Sequence, residues 1–422
     1  MATSDDHLLH VVMNGQVIGD VQRTGRRQVR LRYEARSSHA FTPLSVSMPN
    51  QTRRYRDPVL RPWLEGLLPD RPETLRAWRR QFAVASDSGP FSLLRHIGED
   101  VAGAAQFVRP DRLDDVHGEQ GSVTVLAPEA VADKLRRAQA DLPISDAGDE
   151  RESSPSRALK PRSLCTAHRR DGVTRAGQCH RRTSSKPAIP GIADQDLVKA
   201  VTLRAAKALG MSAASCTIEQ FSDVRAIVVA RYDRIQRGDG WLRVHQEDMC
   251  QAMGLWPGRK YESQGGPGAA MVADLVNRVS ERPELDCQRL AQALVFNWLT
   301  CGTDAHARNY SLLHSGQSAR LAPLDDLNSH LAYSDGMGNH RSMSTAGTFR
   351  AEHLTRDHWL RYSGTLHVDR RWLAAEIERQ VALIPSAFRS AADGADISRH
   401  NSPAVDRLLE TLGHCLQRLG VA

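Results

Sequence analysis

Apolar and polar positions alternate at the start of the chain. Leu8 to Val12, Val17 to Val21 and Val29 to Tyr33 each read as half-buried strands. Asn14-Gly15 joins the first two, a pair that readily takes the positive φ angles of a hairpin turn. Leu44-Ser45-Val46-Ser47-Met48 continues the alternation and predicts a further strand. The period then changes: Trp63 to Leu68, Pro72 to Val84 and Phe91 to Ile97 repeat at helical spacing. A first α+β domain is expected over residues 1–108.

A polar connection, Asp111 to Gly148, holds one helical stretch from Pro128 to Gln139. The helix expected over Leu197 to Leu209 carries Leu197, Val201, Ala205 and Leu209 on one face and stops at Gly210. Val224 to Ala230 is apolar enough for a buried strand and leads into Arg231-Tyr232-Asp233-Arg234. Glu284 to Thr300 predicts a core-facing helix through Leu285, Leu290, Ala293, Leu294 and Trp298. Tyr310 to Leu313 and Ala319 to Leu324 read as short strands, and helices are expected over Arg371 to Leu383 and Ala404 to Arg418.

Bulk properties narrow the class. No apolar run approaches the roughly 18 residues of a membrane span. The opening Met1-Ala2-Thr3-Ser4-Asp5-Asp6 lacks the basic-then-apolar order of a signal peptide. Seven scattered cysteines argue against a disulfide framework. A soluble cytoplasmic protein is expected. The net charge of +7 could point to nucleic acid, but Arg151 to Arg182 alone carries nine basic side chains against Glu152 and Asp171. That segment accounts for the whole excess, so charge gives little support to direct nucleic-acid binding.

The candidate chemistry lies in Thr303-Asp304-Ala305-His306-Ala307-Arg308-Asn309, followed by Asp325-Asp326. An Asp with an Asn five positions later repeats the spacing of kinase catalytic loops, where the Asp accepts a hydroxyl proton and the Asn holds Mg²⁺. A further Asp downstream binds metal in the same scheme. Alone the spacing is common, and an Asp at a helix-to-loop junction is usually a cap or turn former. Gly265-Gly266-Pro267-Gly268 lacks the strand-to-helix context of a phosphate loop and reads as a turn. Cys165, His168, Cys179 and His180 make a poor zinc site, because adjacent Cys179-His180 cannot easily ligate one metal.

Several ordered blocks together resemble the HipA family, Ser/Thr protein kinases of bacterial toxin–antitoxin systems. Leu67-Leu68-Pro69-Asp70 and Ile97-Gly98-Glu99-Asp100-Val101-Ala102-Gly103-Ala104 resemble its N-terminal region. Gln246-Glu247-Asp248-Met249-Cys250-Gln251, Lys260-Tyr261-Glu262-Ser263-Gln264-Gly265-Gly266-Pro267 and Gly302 to Asn309 resemble its kinase core. The resemblance implies an α+β fold: a two-lobed kinase-like core with an N-terminal α+β domain and a mainly helical C-terminal lobe. The corresponding divisions are 1–108, a connection at 109–185, a kinase core at 186–395 and a C-terminal helix at 396–422.

Carried over by position, Asp304 is the catalytic base, Asn309 and Asp326 are Mg²⁺ ligands, and Lys186 neutralises ATP phosphates. Asp325 replaces a tyrosine of the family and competes with Asp326 for the metal role. Arg231 and Tyr232 match the hinge that contacts adenine, and His306 either supports the loop or takes part in catalysis. The resemblance also implies a HipB-like helix-turn-helix antitoxin, DNA reached through that antitoxin, no membrane, and a protein substrate such as a tRNA synthetase. Lys199 stands where the family carries a glutamate, which leaves Lys186 without its usual anionic partner; Ala230 replaces an acidic residue before Arg231.

Ser153 to Ser185 does not resemble the family, which has a Ser-x-Ala-Gly-Ala-Gln phosphate loop here. Codons can be chosen for Ser154 to Pro161 such that the same bases, read one base earlier, give Phe-Ser-Leu-Ala-Gly-Ala-Gln-Thr. The same shift turns His180 to Ser185 into Pro-Thr-His-Val-Leu, which the family places directly before the lysine. Residues of about 153–185 are therefore expected to be read out of frame. Two functions compete: an ATP- and Mg²⁺-dependent Ser/Thr protein kinase toxin, and a catalytically impaired relic acting as a DNA-bound co-repressor with an antitoxin.

Overall fold

The computed structural model describes residues 4–25, 28–34, 42–117, 123–139, 173–175, 183–189, 191–238, 240–334 and 340–420. The N-terminal domain is built on a five-stranded antiparallel sheet in the order β4-β3-β2-β1-β5. Its strands are β1 (Leu8–Met13), β2 (Gln16–Arg23), β3 (Val29–Tyr33), β4 (Arg54–Arg56) and β5 (Ala105–Val108). Asn14 (φ 48°) and Gly15 (φ 80°) close the β1–β2 hairpin in the left-handed region, where glycine is unstrained and Asn is among the best tolerated residues. Helices Asp57–Gly66, Pro72–Gln81 and Pro90–Ile97 cover one face, burying Trp63, Trp78, Phe91 and Leu94.

Leu44–Met48 is not a strand. Ser45 and Met48 form an isolated bridge around a tight turn. Leu44 N–H donates to the Tyr33 hydroxyl at 2.9 Å and Val46 N–H to Glu247 at 2.9 Å. Side-chain acceptors thus satisfy backbone groups that a ladder would have used. The alternation of buried Leu44 and Met48 comes from packing the turn inward.

The larger part of the chain forms two lobes. The smaller has a three-stranded antiparallel sheet, in which Val224–Ala230 lies between Thr183–Pro187 and Cys216–Phe221. One face packs on the helix Gln195–Ala208. Leu197, Val201, Ala205 and Leu209 are all buried there, and Gly210 ends the helix at φ 76°. The other face meets Pro128–Gln139, whose Val131, Ala132 and Leu135 pack against Val224 and Ala226. The expected connection thus contributes a helix to this lobe, and it also holds the short helix Leu113–His117.

The larger lobe is helical, around Ala269–Val279, Pro283–Leu299, Arg370–Ala392 and Pro403–Arg418. Pro283–Leu299 departs from expectation in one position: Leu285 is 36% exposed. The buried stripe runs through Cys287, Leu290, Ala291, Leu294 and Trp298, and Leu285 is offset from it by spacing. Asp286 is buried instead, held by Arg320, Ser280 and the Leu321 amide. A hairpin, Ser311–Ser315 with Ser318–Leu321, follows the long helix, and Gln246–Asp248 pairs with its first strand. No helix among the described residues is long and apolar enough to cross a membrane.

Candidate active site

The loop bearing Asp304 begins where Pro283–Leu299 ends. Cys301 adopts φ 52°, and Gly302 N–H donates to Asn297 O at 2.7 Å. A Cβ on Gly302 would overlap Asn297 Oδ1, so the turn requires glycine. Further on, Ser342 holds Thr303 O through its amide (3.0 Å) and hydroxyl (2.7 Å).

Asp304 is exposed, and its Oδ1 accepts a hydrogen bond from the Tyr261 hydroxyl at 3.0 Å. Asn309 lies on the next turn and donates from Nδ2 to Asp304 O at 2.7 Å. The amide oxygen of Asn309 is not used by that bond. His306 is buried under the loop and meets the Tyr261 ring edge-on at 5.3 Å. Burial and then Lys260 lower its pKa, while Asp304 and Asp326 act in the opposite sense. His306 is thus a mostly neutral ring under the loop that feels both carboxylates.

Asp325 and Asp326 follow Leu324, which is fixed between Ser212 and Ala214 by two 2.8 Å backbone bonds. Their side chains take different surroundings. Burial raises the pKa of Asp325, whose electrostatic neighbours include Lys186, Asp326, Lys199 and Asp233. The carboxyl of Asp326 faces two ammonium groups. Lys199 Nζ is bonded to Asp326 Oδ1, and Lys186 Nζ stands 3.8 Å from the same oxygen. Lys186 therefore does have an anionic partner, contrary to expectation. The anion comes from beyond the hairpin rather than from the helix.

Lys199 is only 3% exposed. Burial pulls its pKa down, but Asp326 and Asp325 more than offset this, and the ammonium is held above the ordinary lysine value. Arg231 donates two hydrogen bonds to the Asp233 carboxylate, at 2.9 and 2.7 Å. Burial and then Asp325 raise the pKa of Tyr232, which keeps its hydroxyl neutral. Asp233 also accepts from Gly103 N–H at 3.1 Å, so the expected hinge is tied to the N-terminal domain.

Three contributors were not assigned roles from sequence. Tyr261 orients Asp304. Arg308, mostly buried, bonds to Asp248 at 2.8 Å, to Gly66 O at 2.8 Å and to Asp70. Lys260 meets Asp70 as well, at 3.2 Å. Asp70 thus carries the N-terminal domain onto the catalytic-looking loop. Asp70→Ala should lower stability by about 1–2 kcal/mol, because two cations lose a charged acceptor. Thermal unfolding checks this; an unchanged midpoint would show the contact to be idle.

Glu262 sits beside the start of Ala269–Val279. Its carboxylate lies against Gly268 and accepts from Ser344 N–H at 2.6 Å and the Ser344 hydroxyl at 2.8 Å. The glycine-rich stretch is therefore a turn leading into a helix. Among the described residues no cluster of three or more His, Cys, Asp or Glu could hold a metal. The cysteines and histidines at 165, 168, 179 and 180 lie outside the described residues, as does the expected out-of-frame stretch up to Arg182, apart from the backbone of 173–175.

Oxygen donors from Asn309 and Asp326 suit Mg²⁺, which characteristically takes one or two protein oxygens and completes its shell with water and phosphate. Lys199 on Asp326 is the feature that competes with it.

Comparison with known proteins decides the family. Residues 9–108 match the model of the HipA N-terminal domain, and 184–388 match that of the HipA-like C-terminal domain. The Sinorhizobium fredii protein Y4mE, a kinase by name, is 32% identical over 343 residues, 78% of each chain. The chain belongs to the HipA family. The Shewanella oneidensis Ser/Thr-protein kinase toxin HipA is 35% identical over 148 residues, which cover 32% of this chain and 34% of that one. A solved complex of the Shewanella oneidensis MR-1 toxin–antitoxin system, HipA with HipB and operator DNA, contains a chain matching 98% of this one. That match covers 97% of the solved chain, with a TM-score of 0.79 and 21% identity, and shows the fold to be the two-lobed, kinase-like α+β fold.

Proposed function

We propose that this HipA-family chain is built as an ATP- and Mg²⁺-dependent Ser/Thr protein kinase, the toxin of a module with a HipB-like antitoxin. The observation carrying this reading is one loop that holds Asp304 beside Asn309, with Asn309 Nδ2 2.7 Å from Asp304 O, together with Lys186 3.8 Å from Asp326. Asp304 would accept the proton of a substrate hydroxyl, oriented by Tyr261. For the transfer step, Asn309 and Asp326 would supply oxygens to Mg²⁺, which when bound neutralises phosphate charge, provided the Lys199 ammonium is displaced from Asp326. Lys186 would meet the phosphates, while Arg231 and Tyr232 would border the adenine. DNA would be reached through the antitoxin, and the substrate would be a protein such as a tRNA synthetase.

The phosphate-cradling loop is the weak element. Ser185 supports the out-of-frame reading. It pairs with Val228 and is 1% exposed, on the face that carries Ala226 toward Pro128–Gln139. The codon choice that yields Pro-Thr-His-Val-Leu in the adjacent frame places a leucine there, a residue that suits such a position better than serine. Loss of one phosphate-positioning element can remove several kcal/mol of transition-state stabilisation. This favours a second reading, a relic that binds an antitoxin and acts as a DNA-bound co-repressor.

Incubation with γ-labelled ATP and Mg²⁺ separates the two. Label on the chain or on added protein substrate supports the kinase. No label, with retained antitoxin binding, supports the relic.

A further inference from the structure

The ion pair of Lys199 and Asp326 joins a helix of the small lobe to the segment after the hairpin, 127 residues apart in sequence. It is not a surface pair. Lys199 lies on the inner face of Gln195–Ala208, its side chain 4% exposed, whereas Asp326 opens to the cleft at 33%. Lys186 completes the group from the neighbouring strand at 3.8 Å, and Asp325 adds a second carboxyl. A carboxylate saturated by a fixed ammonium is a poor ligand for a divalent cation, because the ion must displace the ammonium and leave it buried unpaired. Two ammonium groups beside one open carboxylate also make a ready site for phosphate oxygens.

We propose that Lys199 is a resident cation of the site, standing at Asp326 in place of a divalent ion, so that a nucleoside triphosphate binds here with little dependence on divalent metal. The inference rests on the nucleotide-site reading for its second half only. Its first half concerns this chain's own ammonium and carboxylate. Lys199 is a positioning residue in this account, acting through Asp326.

The test uses the full chain with Mn²⁺ followed by electron paramagnetic resonance, and a non-hydrolysable ATP analogue followed by calorimetry. Wild type and Lys199→Arg should bind Mn²⁺ weakly, and the analogue's affinity should differ less than about threefold between EDTA and Mg²⁺. Lys199→Met should bind Mn²⁺ at least about tenfold tighter, and its analogue binding should become metal-dependent by a similar factor, consistent with release of one charged competitor. Equal Mn²⁺ affinity in wild type and Lys199→Met overturns the proposal. So does a wild type whose analogue binding vanishes in EDTA. If the analogue binds to no variant under any condition, the nucleotide-site reading fails, while the Mn²⁺ comparison still decides the role of Lys199. Should Lys199→Met not fold, Lys199→Gln carries the same comparison, with circular dichroism as the check.

Discussion

Asp304→Asn should abolish phosphate transfer while leaving the fold intact. The carboxylate is exposed, its side chain taking the Tyr261 hydroxyl at 3.0 Å, and an amide oxygen can accept that same bond. The backbone carbonyl that Asn309 uses is unchanged by the substitution. On the proposed function, the charge that would orient and deprotonate a hydroxyl nucleophile is lost, and general-base contributions are about 10²–10⁴-fold in rate. Transfer to protein, measured with labelled ATP after restoring any activity-limiting loop, should fall by that factor with less than about 1 kcal/mol change in stability, as is usual for surface substitutions. A folded variant with undiminished transfer would remove Asp304 from the chemistry.

The largest loss of stability is expected elsewhere, at Glu247. This glutamate is 1% exposed and comes from the short strand paired with Ser311–Ser315. It accepts from Trp63 Nε1 at 3.0 Å and Val46 N–H at 2.9 Å, both in the N-terminal domain, and meets His314 Nε2 at 2.8 Å in the core. Glu247→Ala strands three buried polar groups across the domain boundary, and breaking such a pair costs about 3–5 kcal/mol. Denaturant unfolding should show a lower midpoint, with the N-terminal domain separating first.

The same residue gives a sign for pH dependence. Burial raises the Glu247 pKa, but hydrogen bonding and charge from His314 outweigh it, and the net direction is downward from 4.5. Its contribution is therefore complete above the unfolded value and lost as pH falls through the folded one. Wild type should lose stability on acidification more steeply than Glu247→Gln; parallel curves would show that the carboxylate charge is not engaged.

Much of the fold follows from local pattern. Val224–Ala230 and Pro128–Gln139 fall where apolar runs and spacing place them, and Gly210 stops its helix by taking positive φ. Most departures come from partners distant in sequence, and the one at Leu285 from local spacing. Leu44–Met48 alternates like a strand, yet Glu247, two hundred residues on, supplies the acceptor that makes it a turn. Leu285 is apolar but off the stripe set by Cys287, Leu290 and Leu294. Arg308 has no role assigned from its local sequence, and only the tertiary fold brings Asp70 and Gly66 to it.

The site divides in the same way. Asp304, His306 and Asn309 stand out as candidates because one loop carries them at a characteristic spacing. The substitution at Lys199 was legible too, but its consequence was not. From the helix alone it removes an anion from Lys186, whereas in the fold it adds a second cation to Asp326. Carrying the carboxylates of the family's loop is thus distinct from having a site balanced to use ATP.

The most direct measurement compares two versions of the chain: the present one, and one in which residues of about 153–185 are replaced by the translation of the adjacent reading frame of its own gene. Both would be given labelled ATP, Mg²⁺ and protein substrate. Transfer at least about a hundredfold faster in the restored chain, abolished by Asp304→Asn, is the predicted result, on the scale expected for a lost phosphate-positioning element. Equal transfer by both versions, or a gene whose adjacent frame cannot encode Ala-Gly-Ala-Gln before the lysine, would contradict it.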